Sequence, residues 1–166
     1  TSSAEIAANI GGIWNWQNFI TIGGNNVTID GVDLKMNRNL YYSDTSDFNK
    51  AIELIDDAKN FTLRDCEIKS EGGSNGKFSG SIYINVAQPE DILIEDVTLY
   101  AWISGSVIEN AGKVTIRDVV QDYRGNAAAY EEFYGPGLVG DDSAFVIDGF
   151  TIYADAASCE EYGLVQ

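Results

Sequence analysis

The chain has 166 residues, 45% hydrophobic and 22% charged, which is typical of one globular domain with a single core. Its net charge of −16, from 26 acidic and 10 basic residues, argues against nucleic acid or an anionic membrane surface as a partner. Histidine is absent, which excludes histidine-containing catalytic triads and zinc sites. No apolar run reaches the roughly 20 residues that membrane insertion requires.

Residues 1–17 precede the first repeated motif and are predicted to form an N-terminal cap or assembly segment, followed by one domain over residues 18–166. The first ten residues lack the basic start and apolar stretch of a signal peptide. The acidic, aromatic composition favours an extracellular location or a cell or virion surface, with any targeting segment removed. Four apolar residues of this segment have no partner motif and are candidates for assembly contacts: Ile10, Ile13, Trp14 and Trp16.

One nine-residue motif recurs five times along the chain without gaps. Its copies are residues 26–34, 60–68, 91–99, 113–121 and 144–152. In each copy the apolar residues alternate, and the alternation is interrupted in the middle by a charged residue followed by glycine or aspartate. This pattern predicts two short strands joined by a tight corner. The central apolar residues Ile29, Leu63, Ile94, Ile116 and Ile147 follow one another at spacings of 34, 31, 22 and 31 residues.

A further short strand is predicted before most copies of the motif. These strands are residues 18–22, 51–55, 81–84, 106–108 and 137–139. Three strands per repeat predict a solenoid whose equivalent strands stack into three parallel sheets. The sequence therefore predicts an all-β fold, a single-stranded right-handed parallel β-helix of about five to six coils.

Two columns of equivalent residues give an independent check on this alignment. The residue after each central apolar position is Asp30, Arg64, Glu95, Arg117 and Asp148, so the charge alternates in sign from copy to copy. The next position holds only glycine or aspartate, which tolerate turn conformations. Cys66 falls on an inward position and is expected to be a buried free thiol, because a disulfide to Cys159 would have to cross several coils.

The chain resembles the pectin-lyase-type right-handed β-helix superfamily over roughly residues 11–166. The resemblance is clearest in Gly-Ser-Val-Ile-Glu-Asn-Ala-Gly-Lys-Val-Thr-Ile at residues 105–116, and in residues 11–16 followed by Asn-Val-Thr-Ile-Asp-Gly at 26–31. This resemblance implies the fold. It leaves the activity open, because the superfamily includes polysaccharide lyases, glycoside hydrolases, epimerases, phage tailspikes and surface proteins.

In β-helices of this family, long loops form the binding cleft, and the corresponding loops here are rich in aromatic and acidic residues. Aromatic rings stack on sugars while carboxylates accept their hydroxyl hydrogens. The same aromatic side chains are equally consistent with packing against the sheet or against another subunit. The candidates for carbohydrate binding are Tyr41, Tyr42, Trp102, Tyr123, Tyr130 and Tyr134.

Catalysis has weaker support. Asp141 and Asp142 resemble the paired aspartates of polygalacturonase-like hydrolases, but they stand at a different place in the coil and the family's histidine motif is absent. No residues are therefore assigned a catalytic role, and the sequence leans towards a protein without enzymatic activity. No cofactor is implied, although calcium is a candidate ligand for the carboxylates of Asp44 and Asp47.

Residues 162–166 match the first strand of a coil whose other strands do not follow, so Tyr162, Leu164 and Val165 complete the set of candidate assembly residues. The sequence favours an extracellular structural protein that assembles with itself end to end or side by side, as a filament, fibre or virion component. The alternatives are a carbohydrate-binding module, or a fragment of a longer β-helix such as a polysaccharide lyase, hydrolase or epimerase.

Overall fold

A computed structural model describes residues 4–9, 20–38, 50–55, 58–72, 80–86, 90–99, 103–108, 113–122, 137–140 and 145–153. Within these residues the chain forms strands and no helix, which confirms the predicted all-β class. The strands are β1 (Ala4–Asn9), β2 (Ile20–Ile22), β3 (Thr28–Asp30), β4 (Val32–Arg38), β5 (Lys50–Ile55), β6 (Thr62–Gly72), β7 (Gly80–Asn85), β8 (Ile92–Leu99), β9 (Ile103–Ile108), β10 (Val114–Arg117), β11 (Val120–Asp122), β12 (Gly137–Gly140), β13 (Phe145–Asp148) and β14 (Thr151–Tyr153).

Hydrogen bonds join these strands into two sheets, and neighbouring strands within each sheet run parallel. The nine-stranded sheet runs in the order β1-β4-β6-β8-β10-β13, with β3 paired to β6, and β11 paired to β8 and β14. The five-stranded sheet has the order β12-β9-β7-β5-β2 and contains the strands predicted before each motif. Parallel sheets are thus confirmed, but the described strands form two sheets rather than three.

The pairing register confirms the alignment of the five motifs. Ile29 lies opposite Leu63, and Leu63 lies opposite Ile94. Ile116 then lies between Ile94 and Ile147. Neighbouring copies therefore pair residue for residue, although 22 to 34 residues of chain separate them. Such a register follows from the period-2 apolar pattern, because a slip of one residue would turn every apolar side chain out of the core.

A single residue makes the corner within each motif. Gly31, Asp65, Asp96, Asp118 and Gly149 have φ angles of 64°, 51°, 51°, 49° and 71°, in the left-handed region that glycine and aspartate adopt at least cost. Both β6 and β8 run through their corner residue without interruption. This explains the count of two sheets, because the two strands predicted for each motif remain in one bent sheet.

The apolar side chains that alternate along the strands form one core. On β8 the residues Ile92, Ile94, Val97 and Leu99 are buried, and the phase of the alternation changes at the corner. Cys66 belongs to this core as a buried free cysteine, as predicted, while Cys159 lies outside the described residues. Burial raises the pKa of the Cys66 thiol, whose Sγ lies 2.9 Å from the carbonyl oxygen of Arg64. The side chain therefore acts as a small apolar group.

The alternating charge column forms ion pairs across neighbouring strands. Arg64 binds Asp30 at 2.6 Å, and Arg117 binds Glu95 at 2.7 Å. The hydrogen bond from each guanidinium to its carboxylate raises the pKa of that arginine. Each arginine thus pairs with the acid of the preceding motif, which confirms the register through charged residues that played no part in the alignment.

Candidate assembly edge

The strands β12, β13 and β14 follow one another in the chain and lie at the edges of the two sheets. In the described part of the chain, β13 pairs with β10 alone and β14 with β11 alone. In the same residues β12 pairs with β9 alone. We call β13 and β14 together the assembly edge. No described strand pairs with the outer side of this edge, and an open strand edge is a feature that natural proteins usually cover, shorten or charge.

Apolar side chains are exposed along this edge. Ile147 is 51% exposed, whereas Ile116, Ile94 and Leu63 at the same position of the preceding motifs are fully buried. Ile152, at the inward position of β14, is 41% exposed. These isoleucines have the orientation of core residues, and among the described strands none pairs with the outer side of β13 or β14. A strand added to the edge would therefore bury side chains that already face the core.

The rest of the assembly edge has the same character. Val146 and Tyr153 are 38% and 43% exposed, and the rings of Phe145 and Phe150 are only partly buried against the core. With Ile147 and Ile152 they give six exposed or partly buried apolar side chains over residues 145–153, with Phe150 between the two strands. Val146 alternates with the inward Phe145 and Ile147, so the six do not share one face. Exposed apolar surface of this kind is typical of an interaction site.

The opposite side of the nine-stranded sheet has a stepped edge. There β1 lies beside β4 in parallel register, with Ala4 opposite Val32 and Ile6 opposite Leu34. Leu34 is consequently fully buried, whereas Ile29 on β3 is only partly buried. In the described residues β1 pairs with β4 alone, so this side also offers a strand edge.

The charge at the assembly edge comes from Asp148 at the end of β13. Its neighbour in the charge column is Arg117, whose pKa is raised mainly by the hydrogen bond to Glu95 and to a lesser extent by the charge of Asp148. The guanidinium of Arg117 nevertheless binds Glu95, on the side away from the edge. The corner carboxylate of Asp118 lies directly over Gly149.

A second polar surface lies on the five-stranded sheet. Glu53 lies opposite Tyr83 in the register of β5 and β7, and the Asn85 amide donates a hydrogen bond of 3.3 Å to the Glu53 carboxylate. These side chains alternate with the buried Ile52, Leu54, Ile82 and Ile84, so they point away from the core. An aromatic ring beside a carboxylate and an amide is a combination that suits a sugar.

The site residues predicted from sequence lie outside the described residues. This holds for the six carbohydrate-binding candidates, Tyr41, Tyr42, Trp102, Tyr123, Tyr130 and Tyr134. It holds equally for the assembly candidates and the calcium candidates, namely Ile10, Ile13, Trp14, Trp16, Tyr162, Leu164, Val165, Asp44 and Asp47. The paired Asp141 and Asp142 lie outside them too.

The exposed isoleucines of the assembly edge were not among the predicted site residues. A signal for them exists in the sequence, because Ile147 and Ile152 occupy inward positions in the last copy of the motif. The apolar pattern of the motif by itself predicts both positions only as core residues.

No family model, curated protein or solved structure matches this chain. Within the described segments, no three His, Cys, Asp or Glu side chains are grouped so that they could hold a metal ion. Nor do these segments contain a helix of the length and apolar character that crossing a membrane requires.

Proposed function

We propose that this chain is a right-handed parallel β-helix that serves as an extracellular structural protein and assembles end to end through β13 and β14. The β-helix is supported by the parallel register of the five motifs, since each crossover returns the chain to the equivalent position one strand further on. The corner residues repeat at the same position in all five motifs, as stacked coils require.

The single observation that carries the assembly function is the exposure of Ile147. A residue of the central core column is half exposed, while Leu63, Ile94 and Ile116, the three residues directly before it in the column, are fully buried. The apolar core of a solenoid needs a polar cap at its last layer, and an exposed core column with an open strand edge favours a further layer. We propose that this layer comes from a second copy of the chain.

The β1 strand of a second copy is the occupant that fits this edge best. It would extend the column that runs through β4, β6, β8, β11 and β14, and it already makes a parallel pair of this kind with β4. In that register Ile6 of the second copy lies opposite Ile152, as it lies opposite Leu34 in its own chain. The contact joins two different edges, so it repeats from copy to copy and builds a filament.

Replacing Ile147 with aspartate tests this function. We expect Ile147→Asp to remain monomeric at concentrations where the wild type forms large assemblies, because it would place a carboxylate in the apolar core column beside the strand that the second copy covers. Sedimentation velocity from pH 5 to pH 7 measures the difference. Because Ile147 is half exposed, the fold should persist, and circular dichroism checks that it does.

Thr62→Asp is the matched control, since Thr62 alternates with the buried Phe61 and Leu63 on β6, three strands away from β13. It adds the same charge away from the assembly edge and should assemble like the wild type. If wild type, control and Ile147→Asp all show the same mass, the assembly edge is not an assembly site.

Carbohydrate binding is the second candidate function, and the polar surface around Glu53 and Tyr83 favours it. Retention of the monomeric Ile147→Asp variant on an insoluble polysaccharide would support this function independently of assembly. For the third alternative, a lyase, hydrolase or epimerase, the described segments contain no comparable group of side chains.

A further inference from the structure

The ion pairs of the charge column all run in one direction along the nine-stranded sheet. Arg64 binds Asp30, its opposite residue in the preceding motif, at 2.6 Å. Arg117 binds Glu95, its opposite residue in the preceding motif, at 2.7 Å. Arg64 also lies opposite Glu95, and forms no ion pair with it. Each of these acids is therefore bound by the arginine of the motif that follows it.

Asp148 is the acid of the charge column on β13. It is exposed, and among the described residues no lysine or arginine forms an ion pair with it, since Arg117 is bound to Glu95. No described strand pairs with the outer side of β13. If a strand were added there in the register of the other motifs, the direction of the ion pairs would require a basic residue opposite Asp148.

The apolar positions of β13 define the other side chains of such a strand. Phe145 is partly buried and Ile147 is 51% exposed. In the second motif the same two positions hold Phe61 and Leu63, which are fully buried between neighbouring strands. Apolar residues opposite Phe145 and Ile147 would extend both inward columns and remove exposed apolar surface from water. The pattern required opposite residues 145–148 is thus apolar, any residue, apolar, basic.

Backbone hydrogen bonds of the inner strands indicate how the basic residue would be held. The Asp118 N–H, at a corner, donates a 2.8 Å hydrogen bond to the carbonyl oxygen of Asp148 in the following motif. The Gly31 N–H, at the first corner, donates a 3.1 Å hydrogen bond to Arg64 in the same way. Gly149 is the equivalent corner residue after β13. Its N–H would donate to the carbonyl oxygen of the added basic residue, whose side chain would bind Asp148.

The segments of this chain that have the required pattern are already built into its sheet. The pattern occurs at residues 32–35, 61–64, 66–69 and 114–117 only. These segments lie in β4, β6 and β10, with Phe61 directly before β6. A second copy could supply one of them only by giving up a strand of its own sheet. The occupant of this edge is therefore a segment of a different polypeptide, and the net charge of −16 favours a basic one.

We propose that the outer side of β13 binds an extended basic segment of another protein as an added parallel strand, with lysine or arginine opposite Asp148. In this mode of recognition, main-chain hydrogen bonds provide affinity and alternate side chains provide specificity. The proposal goes beyond end-to-end assembly and does not depend on it. The β1 strand of a second copy would pair with β14, which leaves the outer side of β13 uncovered.

Disulfide exchange with short peptides tests this site, because a nearby thiol captures even weakly bound peptides. Val146→Cys in a Cys159→Ser background places a thiol on the outward face of β13, while Cys66 stays buried. The probe is acetyl-Lys-Val-Cys-Ile-Arg-amide, the sequence of residues 113–117 with cysteine in place of Thr115. In the proposed register the two cysteines are directly opposed, within the Cα separation that a disulfide spans. A second peptide has glutamate in place of its arginine.

Mass spectrometry measures how much of each peptide is captured at equilibrium in excess reductant. We expect the arginine peptide to be captured on the order of tenfold more than the glutamate peptide, because one adds an attractive pair and the other a repulsive pair. Asp148→Lys in the same protein should reverse this preference. Glu90→Lys is the matched control, because it makes the same change of net charge at an exposed residue before β8. It should keep the preference for arginine.

Three results would overturn the proposal. Persistence of the arginine preference in Asp148→Lys would assign it to the overall charge of the chain. Equal capture of the arginine peptide and a scrambled peptide of the same composition would show that the apolar pattern is not recognised. Disulfide-linked dimers of the Val146→Cys protein that exclude the peptide would show that a second copy covers β13 instead.

The assembly function is judged separately by the Ile147→Asp comparison, so a failure of either idea leaves the other intact.

Discussion

Replacing Phe61 with alanine is expected to lower the free energy of unfolding by about 3–5 kcal/mol. Phe61 is one of the largest fully buried side chains of the described core. It lies in one inward column with Val27 and Ile92, and its carbonyl oxygen accepts a 2.8 Å hydrogen bond from Leu93 of the next strand. Truncation would leave a cavity between stacked layers that the fixed strand spacing prevents from closing.

Phe145→Ala is the matched control for this prediction. Phe145 occupies the same column in the last motif but is only partly buried. Its truncation should cost roughly half as much or less, since less apolar surface is lost from the core. Urea unfolding of the two variants at neutral pH measures both losses. Equal losses would mean that the last motif is as well covered as the second, which contradicts the open edge.

Replacing Gly149 with alanine is expected to destabilise the protein by about 2 kcal/mol. Gly149 has a φ of 71°, which costs any residue with a Cβ atom conformational energy. A Cβ atom here would in addition overlap Oδ1 of Asp118 and lie 3.2 Å from the backbone nitrogen of Asp118. Asp118 would have to move, and its own N–H donates a 2.8 Å hydrogen bond to Asp148.

Gly31→Ala isolates the conformational part of this cost. Gly31 has a φ of 64°, but no atom lies within 4 Å of the position of its Cβ. We expect a loss of about 1 kcal/mol, attributable to the left-handed backbone alone. Thermal unfolding followed by circular dichroism compares the two variants. A loss at Gly149 no larger than the loss at Gly31 would contradict the close packing of neighbouring corners.

The all-β class, the parallel register and the buried columns could be predicted from the sequence because one rule governs them. Only one register keeps apolar residues such as Leu63, Ile94 and Ile116 on the same side of the sheet. The apolar pattern that specifies this register occurs in all five copies of the motif. The charged column then confirmed that register, since Arg64 and Arg117 form the ion pairs that the alternation of sign predicts.

Other features depend on geometry that side-chain pattern does not encode. The number of sheets follows from the backbone at Asp65 and Asp96, where one left-handed residue bends a strand without interrupting its hydrogen bonds. The pairing of β1 with β4 was not predicted, because Ala4–Asn9 carries no copy of the motif. The exposure of Ile147 depends on what lies beyond it, whereas its own pattern is that of a core residue.

The most direct test of the assembly contact is to link the two edges that it joins. Extending the register of β4 and β14 brings Glu5 of one copy opposite Thr151 of another. Cysteines at directly opposed positions of neighbouring strands lie within the Cα separation that a disulfide spans. Single variants Glu5→Cys and Thr151→Cys, each in a Cys159→Ser background, therefore report on this contact, while Cys66 stays buried.

Thr151→Cys protein is first activated as a mixed disulfide with thiopyridine. It is then mixed with either Glu5→Cys or unactivated Thr151→Cys protein. End-to-end stacking in the proposed register predicts a rapid covalent dimer with Glu5→Cys and little product with Thr151→Cys. Equal or faster dimer formation in the second mixture, or no dimer in either, would contradict it.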